Sequence, residues 1–230
     1  HDHDHDHEQS SQSTEHHHSH QEPDTMIRRI LPLALIASLL LAIGLATSPG
    51  NAAEKKKGFV ALKSLKSDFF VAAGDKASWK VNGDVIECNG KPNGYICTTK
   101  SYSNYILTFE FRYPKEKGNS GVLNYIAGEH KIWPACVEVQ GHYDNLAMIF
   151  AMGGAKGPRN NGDKAAREKA RKPHTEWNTL HIVSKNGVLT ASLNGTLIGK
   201  AGPYINRKGP IGLQSEGAPI HFRKIRIKKL

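Results

Sequence analysis

The sequence predicts an all-β sandwich or jelly roll of antiparallel strands, and three observations carry that prediction. Ile220 to Leu230 (IHFRKIRIKKL) alternates apolar and cationic residues, with one slip at Arg223–Lys224. That is the period of a half-buried strand interrupted by a β-bulge. Tyr105 to Tyr113 (YILTFEFRY) alternates without a slip, with Tyr105, Leu107, Phe109, Phe111 and Tyr113 on the core side. Turn signals recur between short apolar runs, at Asn82-Gly83-Asp84, Pro92-Asn93-Gly94, Asn186-Gly187 and Asn194-Gly195.

The elements follow in order. Residues 1–25 hold eight histidines and no aliphatic residue, so they cannot build a core. They read as a tag or as an extension upstream of Met26, with weak metal chelation by the His/Asp repeat as the functional alternative. Residues 26–53 have the three parts of an export signal. These are a basic start at Arg28 and Arg29, a 17-residue apolar run from Ile30 to Ala46, and small residues ending at Ala52-Ala53. An uncleaved anchor is the alternative, although the run is at the short end of the roughly 17–25 residues that span a bilayer. The expected location is therefore outside the cytoplasm, periplasmic or secreted, with membrane contact only through the signal.

After a linker over 54–58, one domain is expected over 59–230. From residue 54 onward the chain carries 29 basic and 14 acidic residues, a net +15. Such an excess suits an acidic surface or polymer, but much of it lies in Lys55–Lys57, in residues 164–172 and at the C-terminus, where a solvated surface is the better explanation. No zinc finger, RNA-recognition motif or long basic helix is present, so nucleic acid is not an expected partner. Cys88 and Cys97 flank NGKPNGYI and could face each other across a hairpin; a bridge there would leave Cys136 as a packed thiol.

Strands are expected at Phe59–Leu65, Trp79–Val81, Val85–Cys88, Tyr95–Thr98, Tyr105–Tyr113, Gly121–Ile126, Cys136–Gln140 and Met148–Phe150. Leu180–Lys185 and Val188–Leu193 should form a hairpin, followed by Thr196–Lys200. One helix is predicted at residues 164–171, capped by Asp163 and closed by Pro173, as a surface excursion on a loop.

Polar residues two apart in strands mark a candidate site. Glu138 and Gln140 share a face, with Val137 and Val139 on the other. Glu110 and Arg112, Gln214 and Glu216, and His221 and Arg223 are similar pairs. An exposed sheet face, or a cross-strand ion pair at Glu110–Arg112, would produce the same pattern. Carboxylate and carboxamide side chains beside Trp133 and His142 suit a sugar, which needs planar hydrogen-bonding groups and aromatic surface. Tyr125, Tyr143 and Trp177 are further aromatics, Trp177 more in the manner of core. Asn119-Ser120-Gly121 reads either as a plain turn or as a polar rim. The five histidines beyond residue 25 are scattered, so no metal or other cofactor is expected. A divalent cation lacks a ligand motif to support it.

Six motifs in order, KPNGYICT, SYSNYILTFEFRY with GNSGVLNY, CVEVQG, TEWNTLHIV, LNGTLI and GPIGLQSEGAPIHFRKIRIKKL, resemble the 3-keto-disaccharide hydrolase-like domain family over about residues 59–230. The resemblance implies a concanavalin-like jelly-roll sandwich of two antiparallel sheets, and cleavage of glycosides oxidised to a ketone at sugar C3. A base removes the acidified C2 proton, an acid helps expel the C1 substituent, and water then adds. Carried onto this chain, Glu138 and His221 are the catalytic candidates. Arg112, Asn119, Trp133, Gln140, His142, Gln214 and Glu216 are candidates for holding an oligosaccharide or glycoside. LAMIFAMGG replaces a TGAIYG-like stretch of relatives, and Ser215-Glu216 replaces a frequent His or Asp before Gly. Both departures bear on catalysis more than on fold. A lectin-like module without turnover, and charge-driven binding of acidic polysaccharide, are the competing readings.

Overall fold

The computed structural model describes residues 58–230. The extension 1–25, the export signal 26–53 and all but the last residue of the 54–58 linker lie outside the described residues.

Early in the described chain come β1 (Val60–Ala61), β2 (Phe69–Ala73), β3 (Trp79–Asn82), β4 (Val85–Cys88), β5 (Gly94–Thr98) and β6 (Tyr105–Arg112). Next are β7 (Gly121–Ala127), β8 (Ala135–Gln140), β9 (Ile149–Met152) and the helix α1 (Lys164–Ala170). The chain ends with β10 (Asn178–Lys185), β11 (Val188–Leu193), β12 (Thr196–Ala201), β13 (Gly212–Ser215) and β14 (Ile220–Lys229). One sheet runs β12-β11-β10-β6-β14-β4-β3, with β1 added on β14, and the other runs β2-β5-β13-β7-β8-β9. All named pairings are antiparallel. This is the jelly-roll sandwich that the alternation predicts.

The core lies between the sheets. Leu107, Phe109, Phe111, Phe222 and Ile227 face it from the larger sheet, and Ile96, Val122, Val137, Val139 and Leu213 from the smaller. Phe109 meets Phe222 with ring centroids 5.9 Å apart, a favourable tilted contact. The slip in the last strand is a bulge. The register with β6 shifts between Arg223 and Arg226, and Lys224 has φ 51°. A lysine in the left-handed region costs roughly 1–2 kcal/mol. Glu110 offsets this by gripping both bulge cations, Arg223 Nε at 2.5 Å and Lys224 Nζ at 2.9 Å. Glu110 therefore pairs with these residues and not with Arg112.

Several expectations are corrected. The first strand shrinks to Val60–Ala61, and β2 was not foreseen. Cys88 and Cys97 do not face each other across a hairpin. The chain crosses between sheets there, with β4 in the larger and β5 in the smaller, and all three thiols are free and buried. Cys97 and Cys136 join a second apolar cluster with Tyr95, Leu123 and Ile126. That cluster lies on the outer face of the smaller sheet and explains why β5 is buried on both sides. Tyr125 and Tyr143 are buried and offer no platform to a ligand. No helix among the described residues is long and apolar enough to cross a membrane.

Helix α1 forms where predicted, and the Asp163 side chain accepts the Ala166 N–H at 2.9 Å. It is not a free excursion. Arg167 is buried and donates from Nε to the Leu146 carbonyl at 2.7 Å and from Nη2 to the Asn161 carbonyl at 2.6 Å. Arg171 donates to the Tyr143 carbonyl at 2.9 Å. The helix thus clamps the short 3₁₀ turn Tyr143–Asn145 that follows β8. Arg167→Ala strands two carbonyls and should lower the unfolding free energy by about 2–4 kcal/mol, measurable by urea denaturation.

Candidate functional site

The site is built where β8, β7 and β13 lie side by side. Val137 and Val139 point into the core, so the two-residue period turns Glu138 and Gln140 to the outer face of the smaller sheet. On neighbouring β7 that face is held by Gly121, which pairs with Gln140. A Cβ on Gly121 would sit 2.3 Å from Oε1 of Glu138 and 2.3 Å from Oε1 of Gln214. A carboxyl group and a carboxamide from the two flanking strands thus share the space that a methyl group would fill.

Both groups are deeply buried, Glu138 at 5 % exposure and Gln214 at 1 %. Neither the oxygen nor the nitrogen of the Gln214 amide has a hydrogen-bond partner among the described residues, and the same holds for Asn119 Oδ1. An unmet buried polar group costs about 1–3 kcal/mol, so native proteins rarely keep one without a use. Asn119 bridges Glu216 and Gly217 through the backbone, which brings Asn119 and Glu216 to the same end of the sheet.

Burial, reinforced by the Glu216 charge, pushes the Glu138 carboxyl up to about 8. Burial also raises Glu216. Tyr113 lies close to both, and its hydroxyl donates to the Gly141 carbonyl at 2.7 Å. The Gln140 Oε1 accepts the His142 N–H at 2.9 Å, and His142 Nδ1 accepts the Asp144 N–H at 3.3 Å. These two residues therefore hold the turn at the rim in place. Among the described residues no group of three or more His, Cys, Asp or Glu side chains is placed to hold a metal ion.

Six of the nine sequence-predicted residues thus gather at this end: Asn119, Glu138, Gln140, His142, Gln214 and Glu216. Trp133 does not join them. It is 43 % exposed in the β7–β8 loop, next to the start of β8, while Gln140 closes that strand. His221 and Arg112 are also elsewhere. They are Cα partners on β14 and β6, and their neighbours Phe222 and Phe111 fill the core. Their side chains therefore face outward from the larger sheet, across a core about 10 Å thick from the outward-facing Glu138. Gly121 and Tyr113 were missed as site residues. Only the Asn119-Ser120-Gly121 turn gave a hint of the first.

A family model described as the 3-keto-alpha-glucoside-1,2-lyase-like domain matches residues 49–228. The chain belongs to that family. No curated protein matches it. Among solved structures, two proteins from Parabacteroides distasonis ATCC 8503, each named as a proposed glycosyl hydrolase, share this family member's fold. One is 20 % identical, with a TM-score of 0.57 over 78 % of this chain and 97 % of its own. The other is 22 % identical, with a TM-score of 0.58 over 75 % and 99 %. The carbohydrate-binding module CBM66 of Bacillus subtilis is 13 % identical, with a TM-score of 0.55 over 71 % and 96 %. At these identities the likeness is one of fold.

The Glu138 environment sets a pH dependence. The group starts from 4.5 when unfolded and is raised to about 8 when folded. The folded state therefore keeps a proton that the unfolded state releases. Its contribution to stability is complete below about 4.5 and is lost as pH rises through about 8. Relative to Glu138→Gln, the wild type should lose a few kcal/mol across that window, read by urea melts at fixed ionic strength.

Proposed function

We propose that the chain is an exported enzyme that cleaves 3-keto-glycosides by elimination at the Glu138 site, followed by addition of water. The observation that carries this reading is a buried carboxyl group held protonated near neutral pH, facing an unpartnered carboxamide above Gly121. Family membership supports the substrate class, and the segment 26–53 supports export.

The roles follow from protonation state. Glu216, which burial makes a stronger base than a free carboxylate once ionised, takes the proton from C2 of the keto sugar. The C2–H electron pair becomes the C1=C2 bond, conjugated with the C3 carbonyl. The C1–O pair leaves with the departing oxygen, which takes the Glu138 proton. The Gln214 amide N–H stabilises the negative charge that develops on the C3 oxygen. In the second half, Glu138 as carboxylate takes a proton from the water that adds at C1, and Glu216 returns its proton to C2. His221, the other catalytic candidate in the sequence, points outward from the other sheet, so Glu216 supplies the base.

Incubating the purified protein with an aryl 3-keto-glucoside and following aglycone release tests this. Wild type should turn over. Glu138→Gln should reduce kcat by roughly 10²–10⁴, and Gln214→Met by roughly 10²–10³. Undiminished release in Glu138→Gln would sink the assignment. Sugar binding without release in wild type would make the chain a binding module.

A further inference from the structure

A cleft of about 480 Å³ opens beside the outward-facing side chains of the larger sheet. His221, Lys80, Glu87 and Asn89 line it from β14, β3, β4 and the turn after β4, and Lys115 lines it from the β6–β7 loop. Nothing in the proposed chemistry uses it. We propose that this cleft is a separate binding site for a small oxyanion, the carboxylate of an acidic sugar or a phosphate.

The donor set points to that class. Arg112 Nε approaches His221 Nδ1 at 3.4 Å. A guanidinium only donates, so Nδ1 is the acceptor and the ring proton sits on Nε2. Burial, with Arg112 and Lys80 nearby, holds His221 below its ordinary value despite Glu87, so near neutral pH the ring presents a neutral N–H. Arg112 is fixed by stacking: its guanidinium lies 4.6 Å from the centroid of Trp177, and Arg223 stacks on the same ring at 4.0 Å. The Arg223 side is already neutralised by Glu110.

The anion in the lining is Glu87, and both its oxygens are engaged. Oε2 pairs with Lys80 at 3.0 Å, and Oε1 accepts from Asn82 Nδ2 at 3.2 Å. Lys80 and Lys115 in the lining against this one carboxylate leave the cleft with a net positive charge, and Arg112 adds to it from behind His221. A bound oxyanion would meet the His221 Nε2–H, the Lys115 ammonium and the remaining N–H donors of the Glu87-paired Lys80, charge-assisted donors that a neutral sugar cannot exploit as strongly.

The cleft stands apart from Glu138 but not from its supports. Lys115 and Asn119 belong to one loop, and Glu216 and Pro219 to one turn. Residues of the same two segments therefore serve both places.

The test titrates the full protein with sodium phosphate, with sodium glucuronate and with glucose at constant ionic strength, following the His221 ring nitrogens by NMR. Either anion should shift His221 saturably, and the tighter of the two names the source. Glucose should leave it unmoved. The Lys80→Ala/Lys115→Ala double variant alters two exposed side chains, and an unchanged melting temperature will confirm its fold. It should weaken anion binding at least tenfold. Glu138→Gln should bind the anion as wild type does, so failure here is distinguishable from failure of the keto-glycoside reading. No saturable shift, an equal shift with glucose, or unchanged affinity in the double variant would overturn the proposal.

Discussion

The Glu138 site exists because two valines are claimed by the core. Val137 and Val139 are almost fully buried between the sheets, and each such burial contributes about 1.5–3 kcal/mol. Strand geometry then leaves Glu138 and Gln140 no choice of side. A one-residue slip of β8 would turn both valines out of the core and bring the carboxyl into it, so the register is strongly specified. Gly121 on β7 completes the constraint. Any side chain there would displace both the Glu138 carboxyl and the Gln214 amide.

This arrangement burdens the fold. Burying a carboxylate near a second one is unfavourable, and the molecule answers by keeping a proton on Glu138 rather than by supplying a cation. Gln214 and Asn119 add unmet polar atoms. Among the described residues, the unmet buried polar side-chain atoms all fall at one end of one sheet. Concentrated burdens of that kind are what the reading of a functional site rests on. The buried Arg167 is a contrast. It too is a desolvated charge, but its hydrogen bonds to backbone carbonyls make it a structural clamp.

The strand ladder was legible because a period of two is written locally. Tyr105–Arg112 alternates in burial as its residues alternate in polarity, and the bulge in β14 falls at the slip in the Ile/Arg/Lys pattern. Within the site, Glu138 with Gln140 and Gln214 with Glu216 were visible for the same reason. What local period does not carry is the sheet to which a strand belongs. His221 follows Glu216 by five residues, yet in that interval the chain passes from the smaller sheet to the larger. Parity then points His221 away from Glu138. The same limit explains Cys88 and Cys97, whose connecting segment looks like a hairpin turn and in fact changes sheets. The strand β2 was missed because FFVAA shows no alternation of polarity, although its outer position, Phe70, meets His130 edge-on and stays partly exposed.

The passage from Glu216 to His221 is therefore the joint on which the functional reading turns. Gly217 takes φ 102°, in a region that disfavours side chains, and its N–H donates to the Gly90 carbonyl at 2.7 Å. Gly90 approaches Ala218 so closely that a Cβ there would meet the Ala218 carbonyl oxygen at 2.3 Å. The turn is thus fixed from both sides before either neighbouring side chain is considered. A rigid joint holds Glu216 over one sheet and His221 over the other, and keeps them from exchanging places. Two polar residues five apart can then serve different chemistry, one as a carboxylate beside Glu138 and the other as an N–H donor among lysines.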